Sequence, residues 1–171
     1  MKSIVIYSSL TGNTKQVAEA ITSVLPAGTP CVSMQELPSD VSSYDLVFAG
    51  FWVDKGTANK EARDVLGTLH NPYIALFATA GVPPQMAHAK ESLINAANCL
   101  PEGVEPVGTF ICQGKVDPKV IEMMYKMFPK GHSHGQSADR DARHKQAAVH
   151  PNEDDFKAAQ DFAKDILIKL S

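Results

Sequence analysis

Ser8-Ser9-Leu10-Thr11-Gly12-Asn13-Thr14-Lys15, residues 8–15, is the stretch on which the fold turns. It follows an apolar run, Ile4-Val5-Ile6-Tyr7. It precedes a segment whose apolar members Val17, Ile21, Val24 and Leu25 fall on one helical face. A strand, a loop of small hydrogen-bonding residues and a helix start, in that order, make an anion site. The first N–H groups of a helix lack intrahelical partners, and the aligned peptide dipoles place partial positive charge there. Gly12 lets the backbone approach a ligand closely, and Ser9, Thr11, Asn13 and Thr14 add donors. No cation lies inside the loop, because Lys15 already belongs to the helix. The ATP-type loop GxxxxGK[ST] and the dinucleotide loop GxGxxG are both absent. The stretch therefore suits a terminal phosphate monoester held by neutral donors. An ordinary capped helix start is the plain alternative.

Outward from that loop, strands alternate with helices. Residues 30–34, 44–50, 73–79 and 107–112 read as further strands, each short and apolar. Residues 57–69, with Thr57 as N-cap, and 84–98 read as helices, and so does 153–169 with Glu153, Asp154 and Asp155 in its first turn. Strands apolar on both faces need helices on both sides of the sheet. The pattern predicts an α/β, doubly wound parallel sheet, which binds ligands beyond the carboxyl ends of its strands. Three such ends carry the candidate site: residues 8–14, 51–57 and 80–84.

Composition bounds the function. The chain has 171 residues, 44% of them hydrophobic, enough for one domain of ordinary size. A formal charge of −3 gives no encouragement to nucleic-acid binding, which usually shows a basic face. No run approaches the length of a membrane span, and the first apolar run stops at Tyr7, too short for a leader. Cys31, Cys99 and Cys112 are odd in number and form no CxxC, so they read as small buried hydrophobes in a reducing, cytoplasmic setting.

Ser9-Leu10-Thr11-Gly12-Asn13-Thr14 resembles the flavodoxin phosphate loop, [ST]-x-T-G-N-T, over all six residues, and the order of elements is similar over nearly the whole chain. The resemblance implies a five-stranded flavodoxin-like sheet of order 2-1-3-4-5 with helices on both faces. It also implies bound FMN, with its phosphate on residues 9–14. It makes 1–171 a single flavodoxin-like domain with an insertion at about 113–151, between the fifth strand and the last helix.

In that family the ring is flanked by the loops after the third and fourth strands. Here they supply Phe51, Trp52, Val53, Asp54, Lys55 and Gly56, then Thr79, Ala80, Gly81 and Val82. Either Trp52 or Phe51 is the stacking aromatic. A glycine-containing peptide of the first ring loop turns over in flavodoxins when flavin N5 is protonated. Lys55-Gly56 is its counterpart, and glycine makes such a turn inexpensive. The second ring loop lacks the tyrosine that many flavodoxins place there. Gln113-Gly114-Lys115 emerges beside it, with Lys115 read as a surface lysine.

The insertion holds a short apolar helix, residues 120–128, rich in methionine, and then a polar stretch containing His132, His134, His144 and His150. The helix reads as packed on the sheet. The histidine spacing matches no standard zinc pattern, so no metal is expected. His150-Pro151-Asn152 shapes the entry to the last helix.

Three functions fit. The first is an FMN electron carrier between a flavin or nicotinamide reductase and a client redox enzyme, more carrier than stand-alone enzyme. The second is an FMN-dependent oxidoreductase of the quinone reductase type. It is favoured by the missing aromatic and by a charge modest for a carrier flavodoxin. The third is a non-redox binding module that has lost FMN, against which the intact loop argues. Around GFWVDKGTA and TFICQGK the chain resembles a subgroup of small bacterial or archaeal flavodoxin-like proteins. Some of these accompany reductases of tetrapyrroles such as bilirubin, which implies such a reductase as one candidate client. Neither nucleic acid nor membrane is an expected partner.

Overall fold

The computed structural model describes residues 1–171. Its elements are β1 (Ser3–Tyr7), α1 (Asn13–Thr22), β2 (Cys31–Ser33), β3 (Leu46–Asp54), β4 (Thr57–Ala58), α2 (Lys60–Leu66), β5 (Tyr73–Ala80), α3 (Ala87–Ala97), β6 (Gly108–Gln113), α4 (Pro118–Met127), α5 (Ala138–Ala147) and α6 (Glu153–Lys169). The sheet runs β2-β1-β3-β5-β6, all neighbours parallel, with β4 turned back antiparallel on β3. Leaving out the short β4, this is the doubly wound order 2-1-3-4-5. Chain order reverses at β1, so a crevice opens between the carboxyl ends of β1 and β3.

The two sheet faces bury separate cores. On one, Ile4, Ile6, Val47, Ala49, Phe51 and Leu76 pack against Ala62 and Leu66 of α2 and Ala96 of α3. On the other, Val5, Phe48, Ala75 and Phe77 pack against Val17 and Ile21 of α1 and Ala159, Ala163 and Ile166 of α6. α6 starts at a complete capping box, in which the Asn152 side chain accepts from Asp155 N–H and the Asp155 carboxylate accepts from Asn152 N–H.

Several boundaries differ from those read in the sequence. β3 does not close at Gly50 but continues four residues to Asp54. Gly50 is a packing position, because a Cβ there would lie 2.1 Å from Cζ of Phe77. The continuation pairs Val53 with Ala58 and Asp54 with Thr57. The helix expected from 57 therefore begins only at Lys60, with Asn59 rather than Thr57 at its N-cap. α3 starts at Ala87, three residues beyond Pro84, and is shorter than the expected 84–98. α5 lies in what reads as a polar stretch. It is a ten-residue helix whose only buried residue is Ala147, so periodicity offered nothing to detect. No helix is long and apolar enough to cross a membrane.

Candidate functional site

A cleft of about 240 Å³ opens at the carboxyl ends of β1, β3, β5 and β6. Its floor is the residue 8–15 loop. Gly12 is the N-cap of α1 at φ 95°, with no side chain to cap the helix. A Cβ at Gly12 would meet nothing within 4 Å, so this is open space held by a left-handed backbone. Ser9 Oγ accepts from the N–H groups of Gly12 at 3.1 Å and Lys15 at 3.3 Å. Ser9, Leu10, Thr11, Asn13 and Thr14 line the cleft.

The loop is tied to the rest of the site from below. Thr14 Oγ1 and Thr79 Oγ1 share a buried hydrogen bond of 2.9 Å, which fixes the start of α1 to the end of β5. Buried Ser8 donates to Glu61 and accepts from Asn59 Nδ2 at 2.8 Å. The Asn59 side chain thus serves the loop instead of capping α2, while its N–H donates to the Trp52 carbonyl at 3.1 Å. Each buried polar pair would cost about 1–3 kcal/mol to leave half-made, so these bonds hold the cleft in one shape.

Trp52, Val53, Asp54 and Lys55 form one wall. Side chains alternate across β3. Phe51 therefore points into the core and is fully buried, and Trp52 faces the cleft, half-buried. Phe51 is excluded as a stacking residue. Gly56 is also displaced from its expected place. Lys55 (φ 50°) and Gly56 (φ 77°) make the two-residue turn between β3 and β4. Gly56 is absent from the cleft lining, and its carbonyl accepts from Asn95 Nδ2 of α3 at 2.8 Å. Lys55 carries the turn to the cleft.

The opposite wall begins with Thr79, Ala80 and Gly81; Val82 lies outside it. Fully buried Gln113 donates from Nε2 to the Gly81 carbonyl at 3.3 Å, and Gly114 N–H donates to the Ala80 carbonyl at 2.8 Å. Gly114 and Lys115, expected beside this loop, complete this side together with Val116, Asp117 and Val120, which were not singled out in the sequence. Lys115 is exposed, as read, yet it stands on the rim. Asn13 Nδ2 donates to the Lys115 carbonyl at 2.9 Å, and Lys115 N–H donates to the His150 carbonyl at 2.8 Å.

The histidines do not converge. His132 and His134 gather around Phe128, His144 meets the edge of Tyr125, and His150 Nδ1 lies 2.6 Å from Asp155. Cys112 is buried beneath the cleft. Burial, then the Asp155 charge, pushes its thiol up to about 12, so it offers no thiolate.

The cleft accepts a particular ligand shape. One end offers neutral hydroxyl and amide donors and uncapped helix N–H groups, which fit a phosphate monoester. Beyond it the lining places the Trp52 indole on β3 and backbone with mostly small side chains on the β5 side, residue types that suit a flat ring with polar edges.

A flavodoxin domain family model matches residues 4–164. The chain is 36% identical over 178 aligned residues to the flavodoxin-like domain-containing protein BilS of Clostridioides difficile (strain CD3), covering 100% of this chain and 99% of that protein. Among solved structures it is similar to the flavodoxin of Streptococcus pneumoniae TIGR4, with a TM-score of 0.57 at 14% identity over 98% of each chain. It is also similar to a flavoprotein in complex with FMN from Lactobacillus acidophilus NCFM. There the TM-score is 0.52 at 18% identity over 65% of this chain and 93% of that one.

Proposed function

Because the chain belongs to the flavodoxin family, we propose that it binds FMN in the cleft and carries electrons between a reductase and a client redox enzyme. The observation that carries this is the union, in one cleft, of the Ser9–Thr14 loop at the N-terminus of α1 with Trp52 on the end of β3. When bound, FMN would supply the redox chemistry. The flavoprotein of Lactobacillus acidophilus, solved with FMN, has the same fold.

The chain's own residues bind and orient. Ser9, Thr11, Asn13 and Thr14 donate to the phosphate together with the first N–H groups of α1. Gly12 admits the phosphate because it carries no Cβ. Trp52 stacks on one ring face. Backbone near Ala80 and Gly81, held by Gln113, meets the polar ring edge. The turn at Lys55-Gly56 tunes the potentials. For the Gly56 carbonyl to swing toward the ring it must release Asn95, so the Asn95 bond opposes that motion.

Residues 1–171 form one flavodoxin-like unit in this proposal, with 113–151 as an insertion, working in the cytoplasm. A tetrapyrrole reductase remains a candidate client, prompted by the likeness to BilS. One observation favours a second function, an FMN-dependent oxidoreductase. The wall opposite Trp52 carries no aromatic: Thr79, Ala80, Gly81 and Gly114 are small, with Lys115, Val116, Asp117 and Val120 beyond, and a face with no covering ring admits a small substrate. FMN titration into the apoprotein tests the cofactor: quenching of flavin fluorescence at one equivalent is expected. No binding would sink both proposals and leave a non-redox module.

A further inference from the structure

α4 is a ten-residue amphipathic helix with no buried residue. Its two apolar stripes have different fates. Ile121, Met124 and Tyr125 are half-buried against the protein, whereas Val120, Met123 and Met127 face outward at 38%, 59% and 66% exposure. A helix normally buries its apolar stripe. Here the outward stripe starts inside the cleft, because Val120 lines it, and Leu10 of the phosphate loop, 67% exposed, stands on the same rim.

The charge around this stripe opposes that of the rest of the chain. Residues 113–151 carry seven Lys and Arg against four Asp and Glu, net +3, while the remaining residues carry nine against 15, net −6. Three of these four acids, all but Asp139, are engaged. Asp117 caps α4 by accepting from Lys119 N–H, Glu122 pairs with Lys126 at 2.8 Å, and Asp141 accepts from Tyr125 and Gln136. Lys115, Lys119 and Lys130 are in no ion pair.

We propose that the Val120-Met123-Met127 stripe, with Leu10 at its head and Lys115, Lys119 and Lys130 around it, is the docking face for an acidic redox protein that brings its own centre to the mouth of the cleft. This deepens the carrier proposal and rests on it. Methionine side chains repack against different surfaces at little cost, which suits a carrier that must let go. Lysines at the rim steer an acidic partner and release it as salt rises. An anionic membrane is the rival occupant of a basic amphipathic helix. The outward stripe, however, has no Trp or Phe to anchor in lipid, and its head is the cleft itself.

The test uses FMN-loaded protein with 13C-methyl methionine, observed by NMR. The probes are an acidic two-cluster ferredoxin, basic cytochrome c, and phosphatidylserine-containing vesicles. The ferredoxin is expected to shift or broaden the Met123 and Met127 methyls, leaving Met34 and Met86 unmoved. Lys119→Glu with Lys130→Glu should weaken this about tenfold. Methyls that ignore the ferredoxin, or that respond to cytochrome c or to vesicles instead, overturn the proposal. The visible flavin spectrum separates the two levels. A protein that takes up no FMN defeats the carrier proposal and this one together, whereas a loaded protein with unmoved methyls defeats this one alone.

Discussion

Trp52 lines the cleft, and Phe51, one residue earlier, is part of the core between the sheet and α2. Their removal should therefore have opposite consequences. Trp52→Ala is expected to weaken FMN binding by about 1 kcal/mol, roughly fivefold, while changing Tm little. Phe51→Ala is expected to cost about 3–5 kcal/mol of stability in chemical denaturation. Fluorescence titration and denaturation on both variants check the pair. Gly12→Ala would strain a backbone held at φ 95°, at a cost of about 1–2 kcal/mol, and should lower FMN affinity. From the sequence, the strand–loop–helix order around residues 8–15 was legible because an apolar run, a stretch of small polar residues and a helical apolar stripe follow one another there. The Phe51/Trp52 choice was not, because Gly50 reads as a strand terminator when its small size actually makes room for the Phe77 ring.

At the scale of elements, the β3–β4 turn and the insertion carry most of what is particular to this chain. The Gly56 carbonyl is held by Asn95 of α3. Asn95→Ala removes that restraint, so the separation between the two one-electron potentials should widen by the worth of about one hydrogen bond, ~1 kcal/mol. Spectroelectrochemistry reads this, and an unchanged separation would remove Asn95 from the tuning of the turn. In the insertion, both ring nitrogens of His144 are shut off from solvent without a hydrogen-bond partner. Burial is the main cause that holds its pKa below the ordinary histidine range. The Asp141 charge works against that, and Arg140 and Arg143 add to it. The native state then binds fewer protons at this site than the unfolded chain, so its stabilising share is present above about pH 6.5 and is lost as pH falls. Amide exchange in α4 and α5 should speed up on acidification, and His144→Phe should blunt that response. α5 escaped sequence reading because its ten residues hold no apolar stripe, and β4 escaped because two residues are too few to show a period.

Over the whole molecule, two separate cores clamp one sheet, and four strand ends converge on one cleft. The alternation of strand and helix made that layout legible, since apolar strands leave no alternative to helices on both sides. Cys112 sits on the α1/α6 side of this sheet. Burial raises its thiol to about 12, and burial also raises that of Cys31. Each folded thiol keeps its proton where the unfolded one has lost it. Stability should therefore be fully present below about pH 9 and decline as pH rises toward 12. Denaturation midpoints taken across that range, with Cys112→Ala as control, check the slope. The same layout leaves the cleft walled by Trp52 on one side only, so carrier and enzyme differ less in architecture than in how the bound flavin passes its electrons.

The most direct measurement is an anaerobic reductive titration of the FMN-loaded protein, followed through its visible spectrum. A one-electron carrier predicts reduction in two resolved stages, with a distinct half-reduced spectrum accumulating near one electron per flavin. Passage to the fully reduced form in a single two-electron stage would contradict the carrier account and turn attention to small-molecule substrates.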